Sequence, residues 1–288
     1  MEQLTKEEVQ EEEKWKAYRT YLQNRNKAEN TVIAYLAAVR QYQSLYLEVT
    51  GDRLRLYKCY LIEHYKPQTV NVRVRAMNAY LEYLGMEEDK MMMVRHREQT
   101  YCDHVISQAD YEYLKKCLVR DGNARYYFLV RFLAATGVRV SEVIQIRIGD
   151  VACGFRDLYS KDNQVRRIYI PRELREELLE WLRQRTIPGS SEIDHKGAYL
   201  FQNRCGDPMT AAAIRGQLRK FADLYGIEKK TMHPHAFRHR FAKNFLETIG
   251  DIAMLSDLLG HRNIETTRIY LRRSAAEQRQ IVNRVINW

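Results

Sequence analysis

Apolar residues recur at helical spacing through the first hundred residues of the chain. Asn30 can cap a helix whose apolar positions include Val32, Leu36 and Val39. Pro67 can open another helix, which carries an apolar series to a stop at Gly85: Val70, Val74, Met77, Leu81 and Leu84. Residues from about 52 to 64 suggest a further helix between these two. This part of the chain is therefore predicted to be a compact module of short helices.

The helical spacing breaks between residues 87 and 100, where a charged, Met-rich run replaces it. Such a run is typical of a linker between domains. We place the linker at residues 98–106, between a helical domain over 1–97 and a second domain over 107–288. Helical spacing resumes at Ser107, which forms a partial capping box with Asp110.

Strand signals are concentrated in the middle of the second domain. Residues 154–171 place alternating apolar and polar positions beside a polar turn, which predicts a hairpin or a small three-stranded sheet. Residues 199–202 are expected to add an edge strand. Helical patterns follow at 210–224, 234–248, 252–259 and from 274 to the end. The predicted fold class is mainly α with a small β-sheet, in two domains.

The composition is that of a soluble globular protein, with 288 residues of which 45% are hydrophobic and 29% charged. Arg131 interrupts the longest apolar stretch, so no membrane span is predicted. The Glu-rich N-terminus lacks the basic start and apolar run of an export signal, and we expect a cytoplasmic protein. The cysteines form no C-x-x-C pair and are interpreted as reduced thiols: Cys59, Cys102, Cys117, Cys153 and Cys205.

The formal net charge is +10, although the first fourteen residues carry a net charge of −4. A cationic body favours a polyanion, because each phosphate that Lys or Arg neutralises releases counterions. Charge alone does not separate a nucleic-acid-binding protein from a basic protein without such a partner. Five basic residues of the first domain form a candidate DNA-facing group, with solvated basic faces as the alternative: Arg25, Lys27, Lys66, Arg73 and Arg75.

Three segments of the second domain carry candidate chemistry. The first, Ala134-Ala135-Thr136-Gly137-Val138-Arg139-Val140-Ser141-Glu142, puts an arginine after a helix stop and before an apolar helix predicted to begin at Ser141. The planar fork of an arginine suits bidentate phosphate binding. A structural pair of Arg139 with Glu142 at helical spacing is the alternative interpretation.

The second segment is His233-Pro234-His235-Ala236-Phe237-Arg238-His239-Arg240. With Pro234 at a helix start, His235 and Arg238 share one face. His235 and His239 could instead hold zinc at i and i+4, but no Glu lies between them and no clear third ligand follows. We therefore predict no metal site and interpret His239 as a structural histidine.

The third segment, Leu258-Leu259-Gly260-His261-Arg262-Asn263, leads to Tyr270 nine residues after His261. Gly260 can end a helix, which would leave the His261 ring in a turn where it can meet a ligand. A tyrosine among twenty is ordinarily a packing residue, and its place after a Gly-His turn is what singles out Tyr270.

In order and spacing these segments resemble the motifs of the tyrosine recombinase family, which includes phage integrases and Xer-type recombinases. The family carries A-T-G-hydrophobic-R-x-S-E, then H-x-x-R, then L-G-H and a nucleophilic tyrosine about nine residues on. Its β-hairpin lysine corresponds to Lys161, in a segment that departs from the family pattern at Asp162 and Gln164. The matching residues are Arg139, Lys161, His235, Arg238, His261 and Tyr270.

The resemblance implies a reaction and a role for each of these residues. Tyr270 would attack a DNA phosphate and form a 3′-phosphotyrosyl bond, which conserves the bond energy so that no cofactor, metal or ATP is needed. Arg139, Arg238 and His261 would hold the phosphate oxygens. Lys161 would protonate the departing 5′ oxygen, and His235 would assist the proton of the tyrosine. Glu142 would orient the cationic groups.

The resemblance also implies an architecture and partners. The N-terminal helical domain would be a core-binding domain and the C-terminal domain a mixed α/β catalytic domain. The partners would be double-stranded DNA with inverted-repeat half-sites and further copies of the chain, forming a tetramer in the synaptic complex. An apolar stripe in the tail would dock on a neighbouring subunit or on its own domain: Ile281, Val282, Val285, Ile286 and Trp288.

Two other functions fit the same residues. A type IB topoisomerase shares phosphotyrosine chemistry but relaxes DNA without exchanging partners. A DNA-binding regulator could keep the recombinase fold without catalysis. The complete set of candidate catalytic residues favours the recombinase over the regulator.

Overall fold

The computed structural model describes residues 6–95, 105–159, 165–184, 197–261, 263–271, 279 and 282–283, with side chains from residue 12 onward. The chain divides into two compact units, residues 1–98 and 99–288. Within the described ranges, no helix has the length and apolar character needed to cross a membrane.

The first unit is built from helices. They are α1 (Lys6–Asn24), α2 (Glu29–Leu45), α3 (Gly51–His64) and α4 (Pro67–Tyr83), followed by a short 3-10 helix at Glu87–Asp89. Pro67 stands at the start of α4, where its missing N–H and fixed φ are both suited to a first helical turn. Gly85, with a φ of +74°, follows the end of that helix, as predicted.

The core of the first unit is rich in tyrosine. Tyr18, Tyr42, Tyr57 and Tyr80 are fully or almost fully buried among aliphatic side chains. Three of their hydroxyls bond to backbone carbonyls: Tyr18 to Ala76, Tyr42 to Glu48 and Tyr57 to Ala38. Such bonds let an amphipathic ring enter a core without stranding its polar end.

The second unit begins with α5 (Gln108–Arg120) and α6 (Ala124–Thr136), then the short helices α7 (Val140–Val143) and α8 (Ile148–Cys153). Strands β1 (Phe155–Tyr159) and β2 (Val165–Tyr169) pair antiparallel, with Phe155 opposite Tyr169 and Tyr159 opposite Val165. Helices complete the described part of the unit: α9 (Arg172–Arg183), α10 (Ala211–Tyr225), α11 (Pro234–Thr248), α12 (Ile252–Leu259) and α13 (Glu265–Arg268).

Two apolar clusters hold the second unit together. In the larger one, Phe132 of α6, Phe201 and Phe237 of α11 are buried together. In the smaller one, Leu246 of α11 packs with Leu255 and Leu259 of α12. Helices α6, α11 and α12 are thereby fixed against one another, and their ends carry the candidate chemistry.

The structure corrects four details of the predicted elements. Ala28, in an extended conformation, is the N-cap of α2 in place of Asn30. The helix expected to begin at Ser141 is a single turn that starts at Val140. Residues 199–202 form isolated bridges, Arg147 with Tyr199 and Gln202 with Pro208, and not an edge strand. Helix α9 was not predicted, although its buried Leu174 and Leu178 lie four residues apart.

Candidate active site

The first candidate arginine is set by the turn that ends α6. Gly137 has a φ of +63°, and a Cβ there would collide with the Phe241 ring, so both conformation and space require glycine. Two residues later Arg139 becomes the N-cap of α7. Glu142 accepts a bond from the Arg139 backbone N–H at 2.7 Å and another from Arg139 Nη1 at 3.0 Å. The Arg139 guanidinium is therefore oriented by its own helix turn.

Arg238 lies on α11 and is 3% exposed, the most buried arginine of the site. Its Nη1 donates to the carbonyl of Gly137 at 2.7 Å, and its Nη2 donates to the carbonyl of Leu259 at 2.7 Å. Nη2 also lies 3.0 Å from Nε2 of His261. One guanidinium thus joins the ends of α6 and α12.

His261 follows Gly260, the left-handed C-cap of α12 with a φ of +63°. Because an arginine can only donate, Nε2 of His261 must accept from Arg238. The ring proton then sits on Nδ1, which donates to Oγ1 of Thr267 at 2.8 Å. Thr267 is fully buried, and it fixes the orientation of the His261 ring.

Arg166 of β2 joins the same cluster, although no role was predicted for it. Its Nη2 donates to Glu142 Oε2 at 2.8 Å, and its Nη1 bonds to the Leu259 carbonyl. Arg166 lies two residues before buried Ile168, so both side chains are on the inward side of the strand. A cation on the inward side of a strand is the signal that could have identified it.

Tyr270 is docked on its own unit. Its ring packs against the small apolar cluster of α11 and α12, beside Phe241 and Phe245. Its hydroxyl lies 2.8 Å from Nδ1 of His239, and the two ring centroids are 5.5 Å apart. Tyr270 also lies near enough to Arg238 to interact with it electrostatically.

His235 lies on the same helix, with its ring centroid 6.3 Å from that of His239 and 6.5 Å from that of His233. Nδ1 of His233 accepts the backbone N–H of Ala236 at 3.2 Å and caps α11. Three histidines near one another would allow the zinc alternative. Among the residues that the structure describes, no group of His, Cys, Asp and Glu has the arrangement of a metal site.

The pKa values in the cluster shift in the direction that an excess of positive charge causes. Burial, followed by the charges of Arg139 and Arg166, lowers the pKa of Arg238 to about 10. Burial, then Arg238 and Arg139, lowers the pKa of His261 to about 4. Burial and the same two arginines also lower the pKa of His235. Both histidines are neutral at pH 7, and the site favours an anion.

An open depression of about 1080 Å³ adjoins this cluster. Arg139, Arg166 and His261 line it together with Tyr159 and Tyr169 of the hairpin. It is large enough to admit a stretch of sugar-phosphate backbone beside the guanidinium groups.

Three predicted features lie wholly or largely outside the described residues. Lys161 belongs to residues 160–164, between the closing pair Tyr159 and Val165 of the hairpin. Of the apolar stripe in the tail, only Val282 is described, and it is half exposed in a helical turn. The predicted linker over 98–106 is described only at its last two residues.

The basic residues predicted to face DNA occupy more than one place on the first unit. Arg25, Lys27 and Arg75 line a depression of about 430 Å³. Arg73 bonds to Gln41 and lies over the ring of Tyr65. Lys66 is exposed at the N-cap of α4.

The model of the phage integrase family matches residues 104–277, more than half of the chain. The chain belongs to the phage integrase family. The match spans Arg139, Arg238, His261 and Tyr270, the residues that the fold brings together.

Relatives of this integrase carry recombinase names. Tyrosine recombinase XerA of Pyrococcus furiosus is 27% identical over 290 residues, which cover 98% of the integrase and 96% of the relative. Tyrosine recombinase XerD of Staphylococcus haemolyticus is 34% identical over 170 residues, covering 58% and 56% of the two chains. These matches confirm the predicted function of an enzymatic, site-specific DNA recombinase.

Solved structures confirm the fold. The integrase of transposon Tn1549 in complex with transposon right-end DNA superposes with a TM-score of 0.71 and 19% identity, covering 94% of this chain and 98% of that one. The XerH recombinase bound to difH substrate gives a TM-score of 0.67 and 17% identity, covering 91% and 82%. The mainly helical, two-domain architecture with a small sheet is that of a tyrosine recombinase.

Proposed function

We propose that the integrase cleaves DNA by attack of the Tyr270 hydroxyl on a backbone phosphorus atom. The Oη–phosphorus bond forms as the bond to the 5′ oxygen breaks, leaving a 3′-phosphotyrosyl link and a free 5′ hydroxyl. Attack by a 5′ hydroxyl of another strand then reverses the step and exchanges partners. The proposal is supported chiefly by one observation: a tyrosine is docked beside a cluster of Arg139, Arg166 and Arg238, in which the Glu142 carboxylate pairs with Arg139 and Arg166.

The phosphate would be held by Arg139, Arg238 and His261. Transition-state charge in phosphoryl transfer is spread over the non-bridging oxygens, where fixed donors stabilise it most. Glu142 and Arg166 would keep the Arg139 fork in place, since Glu142 bonds to both arginines. Lys161 would give its proton to the departing 5′ oxygen, and His235 would assist the proton of Tyr270.

His261 must change its protonation state to act as a donor. Its Nε2 accepts from Arg238, so it has no proton to offer a phosphate. An arriving phosphate would draw the Arg238 fork toward itself and raise the pKa of His261. A protonated ring would then donate from Nε2 to the phosphate while Nδ1 keeps its bond to Thr267.

The DNA partner would be a duplex with inverted-repeat half-sites, bound by a tetramer during strand exchange. The structural neighbours solved on transposon-end and difH DNA support a duplex partner. The tail would join subunits in a cyclic, head-to-tail arrangement. Deleting the residues after Arg273 is expected to weaken cooperative assembly on DNA, and unchanged gel-shift complexes would refute this.

Covalent trapping tests the proposed reaction. The substrate is a nicked duplex that carries inverted repeats of roughly ten base pairs, taken from DNA flanking the gene. The wild type should form a protein–DNA adduct, and Tyr270→Phe should form none while still binding the duplex. A wild type that binds without an adduct would identify a DNA-binding regulator. Relaxation of supercoiled DNA that lacks any special sequence would identify a topoisomerase.

A further inference from the structure

The segment that carries Tyr270 has little regular structure of its own. Helix α13 is four residues long, too short to be stable without outside contacts. Tyr270 N bonds to the Thr267 carbonyl at 3.1 Å, which continues this turn. The position of Tyr270 therefore depends on side-chain contacts with the helices beneath it.

Within the part of the chain that the structure describes, two side-chain hydrogen bonds tie this segment to the rest of the unit. Thr267 bonds to His261 at 2.8 Å, at the end of α12. Tyr270 bonds to His239 of α11 at 2.8 Å. The first contact locates the turn, and the second locates the phenol oxygen itself.

His239 is suited to accept this bond and unsuited to take the proton. Burial, followed by the neighbouring His235, His233 and Arg238, lowers the pKa of His239 to about 4. The ring is therefore neutral at pH 7. Its conjugate acid is far stronger than a phenol, so it does not hold a proton taken from Tyr270. It can orient the hydroxyl without removing its hydrogen.

We propose that His239 is a positioning residue for the nucleophile. Its Nδ1 accepts a hydrogen bond from the Tyr270 hydroxyl and thereby keeps the phenol oxygen beside the arginine cluster of the same subunit. This inference rests on the proposed function of Tyr270 as nucleophile. It replaces the interpretation of His239 as only a structural histidine.

The choice of ring nitrogen allows a matched pair of variants. The amide oxygen of asparagine can stand where Nδ1 stands, whereas the amide of glutamine reaches the place of Nε2. His239→Asn should therefore keep an acceptor for Tyr270, and His239→Gln should not. Both replacements remove the imidazole and remain polar, so a purely structural role predicts no such difference.

Single-turnover adduct formation on the nicked duplex measures the role. We expect His239→Gln to slow the reaction about 10- to 100-fold, as displacement of a reacting atom by about 1 Å does, and His239→Asn to stay within about threefold of the wild type. Binding of the duplex should be equal in all three proteins. If His239→Gln reacts as fast as the wild type or faster, the inference is overturned.

A second measurement needs neither DNA nor activity. In protein labelled with ¹⁵N histidine, the His239 signals are those that vanish in His239→Asn. Replacing Tyr270 with Phe should move the His239 Nδ1 signal away from the position of a hydrogen-bonded nitrogen. A signal unchanged by Tyr270→Phe contradicts the bond.

The two proposals fail in different ways. If the wild type forms the adduct and His239→Gln forms it as fast, the positioning role falls and the recombinase reaction stands. If the wild type forms no adduct on a duplex that it binds, the reaction falls, and with it the positioning role of His239, even where the histidine signals report the bond.

Discussion

Arg238 of the second unit and Arg25 of the first unit are held in contrasting ways. Arg238 of the second unit is buried, and its guanidinium bonds to two backbone carbonyls and an imidazole. Arg25 of the first unit is exposed, pairs with the carboxylate of Glu82 and lies over the ring of Tyr21. Neutral acceptors fix a guanidinium while leaving its charge in place, whereas a carboxylate cancels that charge.

This contrast shows that the charge of a side chain and its availability to a ligand are different properties. Arg139 and Arg166 share Glu142, and no carboxylate pairs with Arg238 within the described residues. The cluster thus keeps an excess of positive charge in a fixed geometry. In the first unit, Lys90 and Arg25 both pair with Glu82, so part of its basic surface is already neutralised.

The largest effect is expected from Arg238→Lys. A lysine keeps the charge but loses the fork that bonds to two carbonyls, and adduct formation should slow about 10²- to 10³-fold. Arg240→Lys is the matched control, because Arg240 is also buried on α11 but bonds to Gln108, away from the cluster. The rates are measured in single turnover on folded proteins. Equal rates in the two variants would contradict a special role for the Arg238 guanidinium.

A smaller loss is expected from Gly260→Ala. The added Cβ would lie 2.6 Å from Arg166 Cδ, so the Arg166 side chain must move from its place between Glu142 and Leu259. Gly250→Ala is the control, since Gly250 also has a positive φ, of +77°, but open space around its Cβ. The left-handed backbone conformation should cost each variant about 1 kcal/mol in the free energy of unfolding.

Only Gly260→Ala should also slow adduct formation, by about tenfold. The two rates and the two unfolding free energies, measured by urea denaturation, separate backbone strain from displacement of Arg166. Slowing of the same size in Gly250→Ala would show that the rate follows stability and not the position of the guanidinium.

The pH dependence of binding sharpens the comparison further. Burial, then Arg238 and Arg139, lowers the pKa of His261 to about 4, and a bound phosphate should raise it. At a pH between these two pKa values, binding takes up a proton. The affinity for the duplex therefore falls as the pH rises through that window, by at most about tenfold per pH unit. His261→Asn should flatten the curve measured by fluorescence anisotropy. An equally steep curve in the variant would assign the proton to another group.

The smallest effects are expected in the first unit. Arg75 and Arg25 line the same depression, but Arg25 is paired with Glu82. If Arg75 contacts a phosphate, Arg75→Gln should make the fall of log affinity with log salt concentration less steep, reducing the magnitude of the slope by about 0.9. Arg25→Gln should lower it by less than half as much. A larger change in Arg25→Gln would mean that its ion pair opens on DNA.

The sequence predicted best the elements whose ends are marked by a strong local signal. The bounds of α11 and α12 agree with the prediction, because Pro234 opens one and Gly260 ends the other. The start of α2 was wrong by two residues, since Asn30 has capping chemistry but the backbone turns at Ala28. Residues 199–202 have strand composition, yet only single bridges reach them.

The candidate site was predictable where a motif marks it and not where only tertiary contacts do. Arg139, Arg238 and His261 stand beside helix ends that the sequence signals, and the structure brings them together. Arg166 acts through partners far along the chain, Glu142 and the Leu259 carbonyl, and Thr267 acts through the His261 ring, six residues before it. The pattern of residues within one segment does not reveal such pairs, because their side chains come into contact only once the helices have packed.

One oxygen atom links the two halves of the arginine cluster. The carbonyl of Leu259 accepts both from Arg166 and from Arg238. Every amino acid supplies the same oxygen, so substitution at position 259 can alter apolar packing without removing the acceptor. An inserted or deleted residue in α12 would instead carry a different carbonyl to that place. The site is therefore tolerant of drift in side-chain identity at this position and intolerant of a change in helix length.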